Sequence, residues 1–429
     1  MTKRLLCFLW VAGLVVVPSI AQQRLTLLFA GDLMQHQAQI DAARRSASEG
    51  YDYSACFSQV RDQIAAADLA IANLEVTLAG PPYRGYPAFS APDAYLEAVR
   101  DAGFDILTTG NNHCLDRGRR GLERTIAQLD DLGIPHAGTY VDSLERSRRY
   151  PLFVQKNGFL IAFLSYTYET NGVRPTGGNI VNYIDRHQIQ RDILSAKSRQ
   201  PDAIIALMHW GDEYQSLPSR EQRRLADWLL AQGVTHIVGC HPHVVQPMEL
   251  HTEGWQHHVV VYSLGNFLSN MQQPRTDGGL VFTMTLEKYP LPTAPIGSPF
   301  APAAPFNRLD SLCYRPDEFP AGVATTSFSS SFSSSPSSSS SSSPSAAVSE
   351  ETRQVPAVAY PYCRLVDCGY RLVWTARPPD HPGSNFVVWP IAAPVDSLSQ
   401  DAQARLSRFA SESRQLLRAN YGGIDERVE

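Results

Sequence analysis

The chain has 429 residues and a formal net charge of −5, and its length is typical of about two or three domains. With 43% hydrophobic and 18% charged residues, it can bury a core, and it carries no basic block of the kind that binds nucleic acid. It also lacks the GxGxxG, GxxxxGK[ST], HExxH and GxSxG patterns, which argues against the enzyme classes that carry these signatures.

Residues 1–21 have the pattern of a signal peptide. Lys3 and Arg4 form a positive start, residues 5–17 are apolar, and Ser19 and Ala21 supply the small residues at positions −3 and −1 for cleavage after Ala21. The apolar run is shorter than the ~20 residues of a spanning helix, which favours cleavage over the alternative of an N-terminal membrane anchor. We therefore expect an exported protein in the periplasm, at the cell surface or outside the cell.

Export places the cysteines in an oxidising compartment, where disulfides persist. Cys363 and Cys368 are close enough in sequence to pair, whereas Cys56, Cys114 and Cys240 are equally consistent with small buried thiols. Because spacing does not fix the connectivity, both alternatives stay open.

From residue 24 to residue 287, short apolar strands alternate with helices. The predicted strands are 25–30, 69–72, 105–109, 159–165, 203–208, 236–238, 259–262 and 280–285. Helices are predicted at 92–102, at 122–132, and from the capping box of Ser219 and Gln222 to a stop at Gly233. The alternation by itself predicts a largely parallel sheet with helices on both faces.

Residues 290–360 differ in composition from the rest of the chain. They are rich in Pro, Ala and Ser, and 327–345 are nearly all serine, so we expect a disordered low-complexity insert. After it, 370–375 and 386–391 predict strands, and Leu398, Leu406, Phe409 and Leu417 mark an amphipathic helix. The expected organisation is thus a signal peptide (1–21), a main domain (22–289), the insert (290–360) and a C-terminal extension (361–429), which either docks on the main domain or forms a small one.

Side chains of metal-ligand type follow nearly every predicted strand of the main domain. In chain order they are Asp32, Glu75, Asn112, His113, His209, His241, His243 and Asn266. Sites in open α/β sheets lie beyond the carboxyl ends of strands. A lone aspartate there is usually a helix cap and a lone histidine a core residue, but so many polar groups are costly to bury together unless ions satisfy them. The pattern predicts a pair of divalent cations, Mn, Fe or Zn, bridged by a carboxylate.

The ordered motifs GDxM, NLE, GNNHxxDxG, HWGxE, HPHVxQPxE and YSLGNF resemble the bacterial capsule synthesis family typified by CapA. That family is linked to poly-γ-glutamate capsules and is similar to calcineurin-like metallophosphoesterases. The resemblance covers residues 24–287. It implies an α/β fold, a metallophosphatase-like layered α/β/β/α sandwich, with the Ser/Pro-rich insert and a small C-terminal extension outside it.

The resemblance also implies roles for individual residues. Asp32 would bind the first metal ion, and Glu75 would bridge both. His243 would be a further ligand of the first ion, and Asn112, His209 and His241 would be ligands of the second.

His113 matches the family histidine that acts as a general acid or stabilises the transition state. Four further candidates are His36, Asp116, Glu213 and Asn266. The superfamily's Asp-x-His motif is altered here, because Met34 stands at the histidine position and His36 lies two residues later. Asp116 and Glu213 would either orient imidazoles or be helix-cap or surface carboxylates, and Asn266 would organise the nearby backbone.

Two functions from different classes fit this pattern. The first is a metal-dependent hydrolase, with a phosphoester as its expected substrate. The second is a non-catalytic accessory factor for the assembly or transport of an anionic exopolymer within an envelope biosynthesis complex, with the metal site used for structure or anion binding. A weaker third is a metal-dependent amidase acting on γ-glutamyl bonds.

Overall fold

The computed structural model describes residues 23–45, 50–253, 256–289 and 362–427. The predicted signal peptide and the predicted low-complexity insert lie outside these residues. Within them, no helix combines the length and the apolar composition that crossing a membrane requires.

Strands and helices alternate along most of the described chain. The strands are β1 (Gln23–Leu33), β2 (Leu69–Leu74), β3 (Ile106–Thr108), β4 (His136–Ala137), β5 (Thr139–Tyr140), β6 (Leu152–Lys156), β7 (Phe159–Thr167), β8 (Ile180–Val181), β9 (Ala203–His209), β10 (His236–Cys240), β11 (Met248–Glu253), β12 (Gln256–Val261), β13 (Asn266–Leu268), β14 (Gly278–Tyr289), β15 (Tyr362–Ala376) and β16 (Val387–Pro390). The helices are α1 (Gln37–Ala43), α2 (Arg61–Ala65), α3 (Asp93–Asp101), α4 (Gly118–Asp131), α5 (Ser143–Arg149), α6 (Arg186–Ser198), α7 (Arg220–Ala231) and α8 (Gln400–Ala419).

Two mixed sheets form the framework. The first has 8 strands in the order β16-β15-β14-β1-β2-β3-β4, with β13 also paired to β1, and the second has 6 in the order β11-β12-β10-β9-β7-β6. Strands β1 to β4 run parallel, and β14, β15 and β16 add antiparallel partners. The single, largely parallel sheet predicted from alternation alone is therefore wrong, because alternation does not show which strands share a sheet.

Successive residues of β1 separate two layers of the core. Leu27 and Phe29 face the second sheet, where they share a core with Phe163 of β7. Leu28 lies in the core on the opposite face, together with Tyr95 of α3. This division follows from the two-residue period of a strand.

Helices cover the outer face of the second sheet as well. Ile193 of α6 and Leu229 of α7 share a core there with Ala206 of β9. The order of layers is helix, sheet, sheet, helix, which confirms the α/β/β/α sandwich implied by the family resemblance.

The predicted helix after Ser219 is α7, and its boundaries follow from local chemistry. The Ser219 side chain accepts a hydrogen bond from the Gln222 amide, and the Gln222 side chain accepts one from the Ser219 amide. The helix ends before Gly233, whose φ of 90° is readily adopted by glycine. Helices α1, α2, α5 and α6 were not among the predicted elements.

The C-terminal extension joins the main domain through β15. This strand pairs antiparallel with β14 over most of its length. Phe409 and Leu406 of α8 are buried in the core that lies between the two sheets. Of the two arrangements open for the extension, the structure has the docked one.

The cysteines within the described residues are all free thiols. Pairing of Cys363 with Cys368 is wrong, because both lie on the extended strand β15. Five residues at ~3.3 Å each separate their Cα atoms by roughly 16 Å, whereas a disulfide needs less than about 7 Å.

We expect the metal-free protein to lose stability as the pH falls below about 6.5, with His236 as one cause. His236 is buried and its Nδ1 lies 3.3 Å from the Val259 amide nitrogen, which donates to it. Burial, with a smaller effect of His258, lowers the pKa of His236 to about 3. At pH values between the pKa of His236 in the folded protein and its pKa in the unfolded chain, His236 binds a proton in the unfolded chain but not in the folded protein. The contribution of His236 to the free energy of unfolding is therefore fully present above the pKa that this residue has in the unfolded chain. Below that pH the contribution falls by up to about 1.4 kcal/mol per pH unit.

Urea unfolding near pH 7 and pH 5, with a chelator present, measures this contribution. The loss of unfolding free energy should be smaller by about 2 kcal/mol in His236→Gln than in the unchanged protein. His187, exposed on α6, supplies the control His187→Gln. Equal losses in all three proteins would contradict the assignment.

Candidate metal centre

The carboxyl ends of strands from both sheets converge on one site. Asp32, near the end of β1, is in register with Asn73 of β2 and with Asn266 of β13. In the second sheet, His209 ends β9 opposite Cys240, and His241 follows directly. Pairing within each sheet thus brings residues that are distant in sequence to one edge.

Gly31 allows the backbone of β1 to approach the segment before β13. The Asp32 amide donates to the Gly265 carbonyl oxygen at 3.1 Å. A Cβ atom on Gly31 would lie 1.9 Å from the same oxygen. Glycine is therefore required in front of Asp32 for the carboxylate to reach this position.

Glu75 lies at the centre of the site. Its side chain is buried, and its Oε1 lies 3.7 Å from His209 Nε2 and 3.6 Å from His243 Nε2. This oxygen has no hydrogen-bond partner. Burial raises the pKa of Glu75 well above its usual value, and the nearby carboxylate of Asp32 raises it further. A buried carboxylate oxygen of this kind favours a bound cation.

Asp32 has a more complete set of partners. Its Oδ1 accepts a hydrogen bond from Asn73 Nδ2 at 2.7 Å, and its Oδ2 lies 3.3 Å from His243 Nδ1. Burial acts to raise the pKa of Asp32, but the hydrogen bond and charge of His243, with smaller effects of His209 and Asn73, lower it overall. Asp32 is therefore the ionised carboxylate of the pair.

The histidines lie around these carboxylates. The ring centroids of His209 and His241 are 4.8 Å apart, and those of His241 and His243 are 5.8 Å apart. Burial lowers the pKa of His209 to about 3, and it lowers that of His241 well below its usual value. Both rings are thus neutral, which is the form that binds metals. For His243, burial lowers the pKa, but bonding to Asp32 outweighs it and the net change is upward.

The His-x-His turn places both rings at the site through an unusual backbone. His241 has a φ of 100° and His243 a φ of 58°, a region that non-glycine residues seldom occupy. Pro242 lies between them, and its carbonyl oxygen accepts a hydrogen bond from the Tyr214 amide at 2.8 Å. Strained backbone of this kind persists where surrounding structure holds it, and it is concentrated at functional sites.

The donor atoms fit a divalent cation in two overlapping groups. Glu75, His241 and His243 form one group, and Asp32, Glu75 and His209 form the other, with ligand atoms within 4.8 Å of one another in each. Besides Glu75 Oε1, the buried His241 Nδ1 has no hydrogen-bond partner. Glu75 is common to both groups, as a bridging ligand would be. The groups divide the histidines differently from the family pattern, so the assignment of ligands to individual ions stays a prediction.

Asn112 contacts one of the histidines of the two donor groups. Its Oδ1 is 2.8 Å from His209 Nε2. An amide oxygen is a neutral ligand that complements imidazole and carboxylate donors. The structure therefore brings together the six residues predicted as metal ligands: Asp32, Glu75, Asn112, His209, His241 and His243.

His113 is held at the edge of this cluster by Asp116. Its Nδ1 lies 2.8 Å from Asp116 Oδ2, and the same oxygen accepts a hydrogen bond from the Phe89 amide at 2.8 Å. The rings of His113 and Phe89 are 4.7 Å apart in an edge-to-face arrangement. Asp116 thus fixes the orientation of His113, the kind of role predicted for it.

His36 contacts other groups. Its Nδ1 lies 3.2 Å from Gln39 Oε1 and accepts from the Asn270 amide at 3.3 Å, and it is the N-cap of α1. It belongs to neither of the two donor groups. Met34, at the family's histidine position, is buried in the core on the outer side of the first sheet.

Asn266 and Glu213 occupy different places around the site. Asn266 Oδ1 lies 3.0 Å from His243 Nδ1, and its Nδ2 donates to the Thr276 carbonyl oxygen at 2.8 Å. Asn266 therefore orients a histidine as well as local backbone. Glu213 is exposed in the segment after β9.

Sequence reasoning missed the role of Asn73. Its Nδ2 donates to Asp32 and lies 3.3 Å from His209 Nδ1. Its Oδ1 accepts from Thr108 Oγ1 at 3.0 Å and from Asn111 Nδ2 at 3.2 Å. The available signal was its position two residues before Glu75, which places both side chains on one side of an extended strand.

Asn171 was also missed, and no sequence pattern indicates it. Its Oδ1 accepts from Asn112 Nδ2 at 3.3 Å, and its Nδ2 lies 3.4 Å from His113 Nδ1. It has a φ of 49° and lies in the connection between β7 and β8. Tertiary structure alone brings it to the site.

The sequence matches a family described as bacterial capsule synthesis protein PGA_cap over residues 26–271, which is more than half of the chain. It is 29% identical to the capsule biosynthesis protein CapA of Bacillus anthracis over 271 residues, which are 60% of this chain and 63% of that protein. It is 31% identical to the PGA biosynthesis protein CapA of Bacillus subtilis strain 168 over 199 residues, which are 43% of this chain and 48% of that protein.

A probable polyglutamine synthesis accessory protein of Mycobacterium tuberculosis is 27% identical over 206 residues, covering 43% of this chain and 52% of that protein. The chain thus spans between 48% and 63% of the length of these curated relatives.

Solved structures show weaker similarity. The NAD nucleotidase NadN of Haemophilus influenzae is 14% identical, with a TM-score of 0.39 and coverage of 63% of this chain and 54% of that one. The calcineurin-like phosphoesterase YfkN of Bacillus subtilis is 12% identical, with a TM-score of 0.37 and coverage of 92% of this chain and 99% of that one. These similarities are too low to assign an activity.

We expect the purified protein to bind about two equivalents of a transition metal, and Glu75→Gln to lose most of this binding. The substitution removes the charge shared by both donor groups. Metal content after incubation with Mn²⁺, Zn²⁺ or Fe²⁺ is measured by elemental analysis, and thermal unfolding is followed with and without metal. Bound metal should raise the melting temperature of the unchanged protein, and this rise should be largely absent in the variant.

The metal-free variant should melt no lower than the unchanged protein, because the substitution removes a buried carboxyl group whose charged form is unfavourable at this position. Glu253→Gln, at the exposed end of β11, is the matched control and should retain its metal. Less than about half an equivalent in the unchanged protein would rule out the two-ion site.

Proposed function

The chain belongs to the bacterial capsule synthesis family PGA_cap, and on that premise we propose that its buried cluster is the centre of a metal-dependent phosphoester hydrolase. The observation that carries the proposal is Glu75, whose buried Oε1 lacks a hydrogen-bond partner between two imidazoles. The His113–Asp116 pair beside it supplies a group able to move a proton.

The proposed ligands are Asp32, Glu75, Asn112, His209, His241 and His243. Their oxygen and imidazole nitrogen donors suit Mn, Fe or Zn. When bound, such ions supply Lewis acidity toward the phosphoryl group and lower the pKa of water. Asp32 and Glu75 contribute the negative charge that holds the ions, and the neutral histidines contribute lone pairs.

His113 is the proposed proton donor to the leaving group. Asp116 Oδ2 lies 2.8 Å from Nδ1, which favours the tautomer with a proton on that nitrogen. The other ring nitrogen, Nε2, is the proposed site of exchange with the leaving oxygen. Phe89 packs against the ring and restricts its rotation.

The description of the mycobacterial relative as an accessory protein favours a second candidate. In that function the cluster would stabilise the fold or hold an anionic exopolymer within an envelope biosynthesis complex, without turnover. Hydrolysis of γ-glutamyl amide bonds is a third use of the same groups. The capsule-related names of the relatives support a location in the cell envelope for all three.

Replacement of His113 separates the enzyme from the accessory factor. In His113→Ala we expect kcat toward a phosphoester to fall by about 10²- to 10⁴-fold, which is the usual contribution of a general acid. Metal content should stay at the level of the unchanged protein, because His113 belongs to neither donor group. The measurement is steady-state hydrolysis of an alkyl phosphoester, whose alkoxide leaving group needs a proton, together with elemental analysis.

The exposed His187 provides the control His187→Ala, which should retain full activity. A metal-loaded protein without turnover, or a His113→Ala variant as active as the unchanged protein, would exclude this mechanism. A complementation assay of exopolymer production in which His113→Ala remains functional would favour the accessory role.

A further inference from the structure

The buried carboxylates of the site form ion pairs with histidine rather than with arginine or lysine. Asp32 pairs with His243, Glu75 with His209 and His243, and Asp116 with His113. No arginine or lysine takes part in these pairs in the part of the chain that the structure describes. The positive partners of these buried carboxylates are therefore imidazoles, which leaves their charge available to a metal ion.

Two exposed carboxylates lie on the segments that carry other residues of the site. Glu213 is exposed, and the amide of the next residue donates to the carbonyl oxygen of Pro242 at 2.8 Å, which holds this segment against the His-x-His turn. Glu169 is exposed in the connection that also carries Asn171. Electrostatic effects of Glu213 reach both Glu75 and His243. We call Glu169 and Glu213 the acidic rim.

Tyrosine rings lie beside three different histidines of the site. Tyr168 is 4.4 Å from His241, Tyr214 is 6.4 Å from His243, and Tyr86 is 6.4 Å from His113, measured between ring centroids. Tyr86 is 69% exposed and Tyr168 is 37% exposed, so their rings are available to a bound molecule. Aromatic faces of this kind contact the organic parts of a ligand.

We propose that the site is selective for phosphodiesters over phosphomonoesters, with Glu213 as a determinant of this selectivity. The proposal rests on the proposed function. A diester carries one negative charge, whereas a monoester carries nearly two at neutral pH, so the acidic rim repels the monoester more strongly. A diester also has organic groups on two sides of phosphorus, and tyrosine rings lie beside three different histidines of the site.

The reaction is consistent with this charge distribution. A water oxygen forms a bond to phosphorus, one P–O ester bond breaks, and the leaving oxygen takes up a proton from His113 while the water proton returns to the histidine or to solvent. The products are a phosphomonoester and an alcohol. The monoester product carries the additional negative charge, so the acidic rim promotes its release.

The test compares bis(p-nitrophenyl) phosphate with p-nitrophenyl phosphate, using the full chain loaded with Mn²⁺. We expect a higher kcat/KM for the diester. In Glu213→Gln, the ratio of diester to monoester kcat/KM should fall by about three- to tenfold, mainly through faster use of the monoester. The change in ratio is the decisive quantity, because the intrinsic reactivities of the two esters cancel in it.

Asp212→Asn is the matched control, since Asp212 is an exposed neighbouring carboxylate on the same segment, and it should leave the ratio nearly unchanged. In the unchanged protein, added salt should also lower the ratio, because screening weakens the rim. A preference for the monoester, or an equal effect of Glu213→Gln on both substrates, would contradict the proposed selectivity. Neither result would contradict the proposed hydrolase function. Absence of turnover of both esters by metal-loaded protein overturns the proposed function itself.

Discussion

The interaction on which the site depends is the burial of two carboxylates, Asp32 and Glu75, among imidazoles and amides. Removing an ion from water costs several kcal/mol even after relaxation, and Glu75 Oε1 has no hydrogen bond to offset it. Protonation of Glu75 relieves part of this cost in the metal-free protein, as the rise of its pKa indicates. Divalent cations, as proposed for this site, would relieve it more completely, since they would also use the lone pairs of the neutral His209 and His241. The fold thus buries a group of side chains that bound positive charge would stabilise.

Sheet pairing imposes the geometry that makes this burial possible. Asp32 is aligned with Asn73 on one side and Asn266 on the other, and a shift of one residue would turn these side chains to the opposite face. The apolar residues of β1, which alternate between two cores, oppose such a shift. Gly31 adds a steric requirement, because only glycine permits the contact with the Gly265 carbonyl oxygen. Packing far from the cluster therefore determines where its ligands lie.

Sequence patterns located the residues that end strands, because strand ends are visible as a change from apolar to polar side chains. Asp32, Glu75, His209 and His241 were found in this way, and the structure brings them to one site. Asn171 could not be found, since a loop residue reaches His113 through tertiary structure alone. The division of strands between two sheets was likewise absent from the alternation pattern, and the family resemblance supplied it. The pairing of Cys363 with Cys368, which the sequence left open, does not form because proximity in sequence becomes distance along an extended strand.

Charge also relates the site to the polymer chemistry of the family. A protein surface that binds a polyanion along the length of the polymer needs repeated cationic side chains, as the salt-dependent binding of nucleic acids illustrates. Here the rim residues Glu169 and Glu213 are acidic, and the buried carboxylates pair with histidine. The proposed metal ions would then be the main attraction for an anion at this site. Such an arrangement would suit one phosphoryl group at the centre, as the proposed hydrolysis requires, better than a continuous polyglutamate chain.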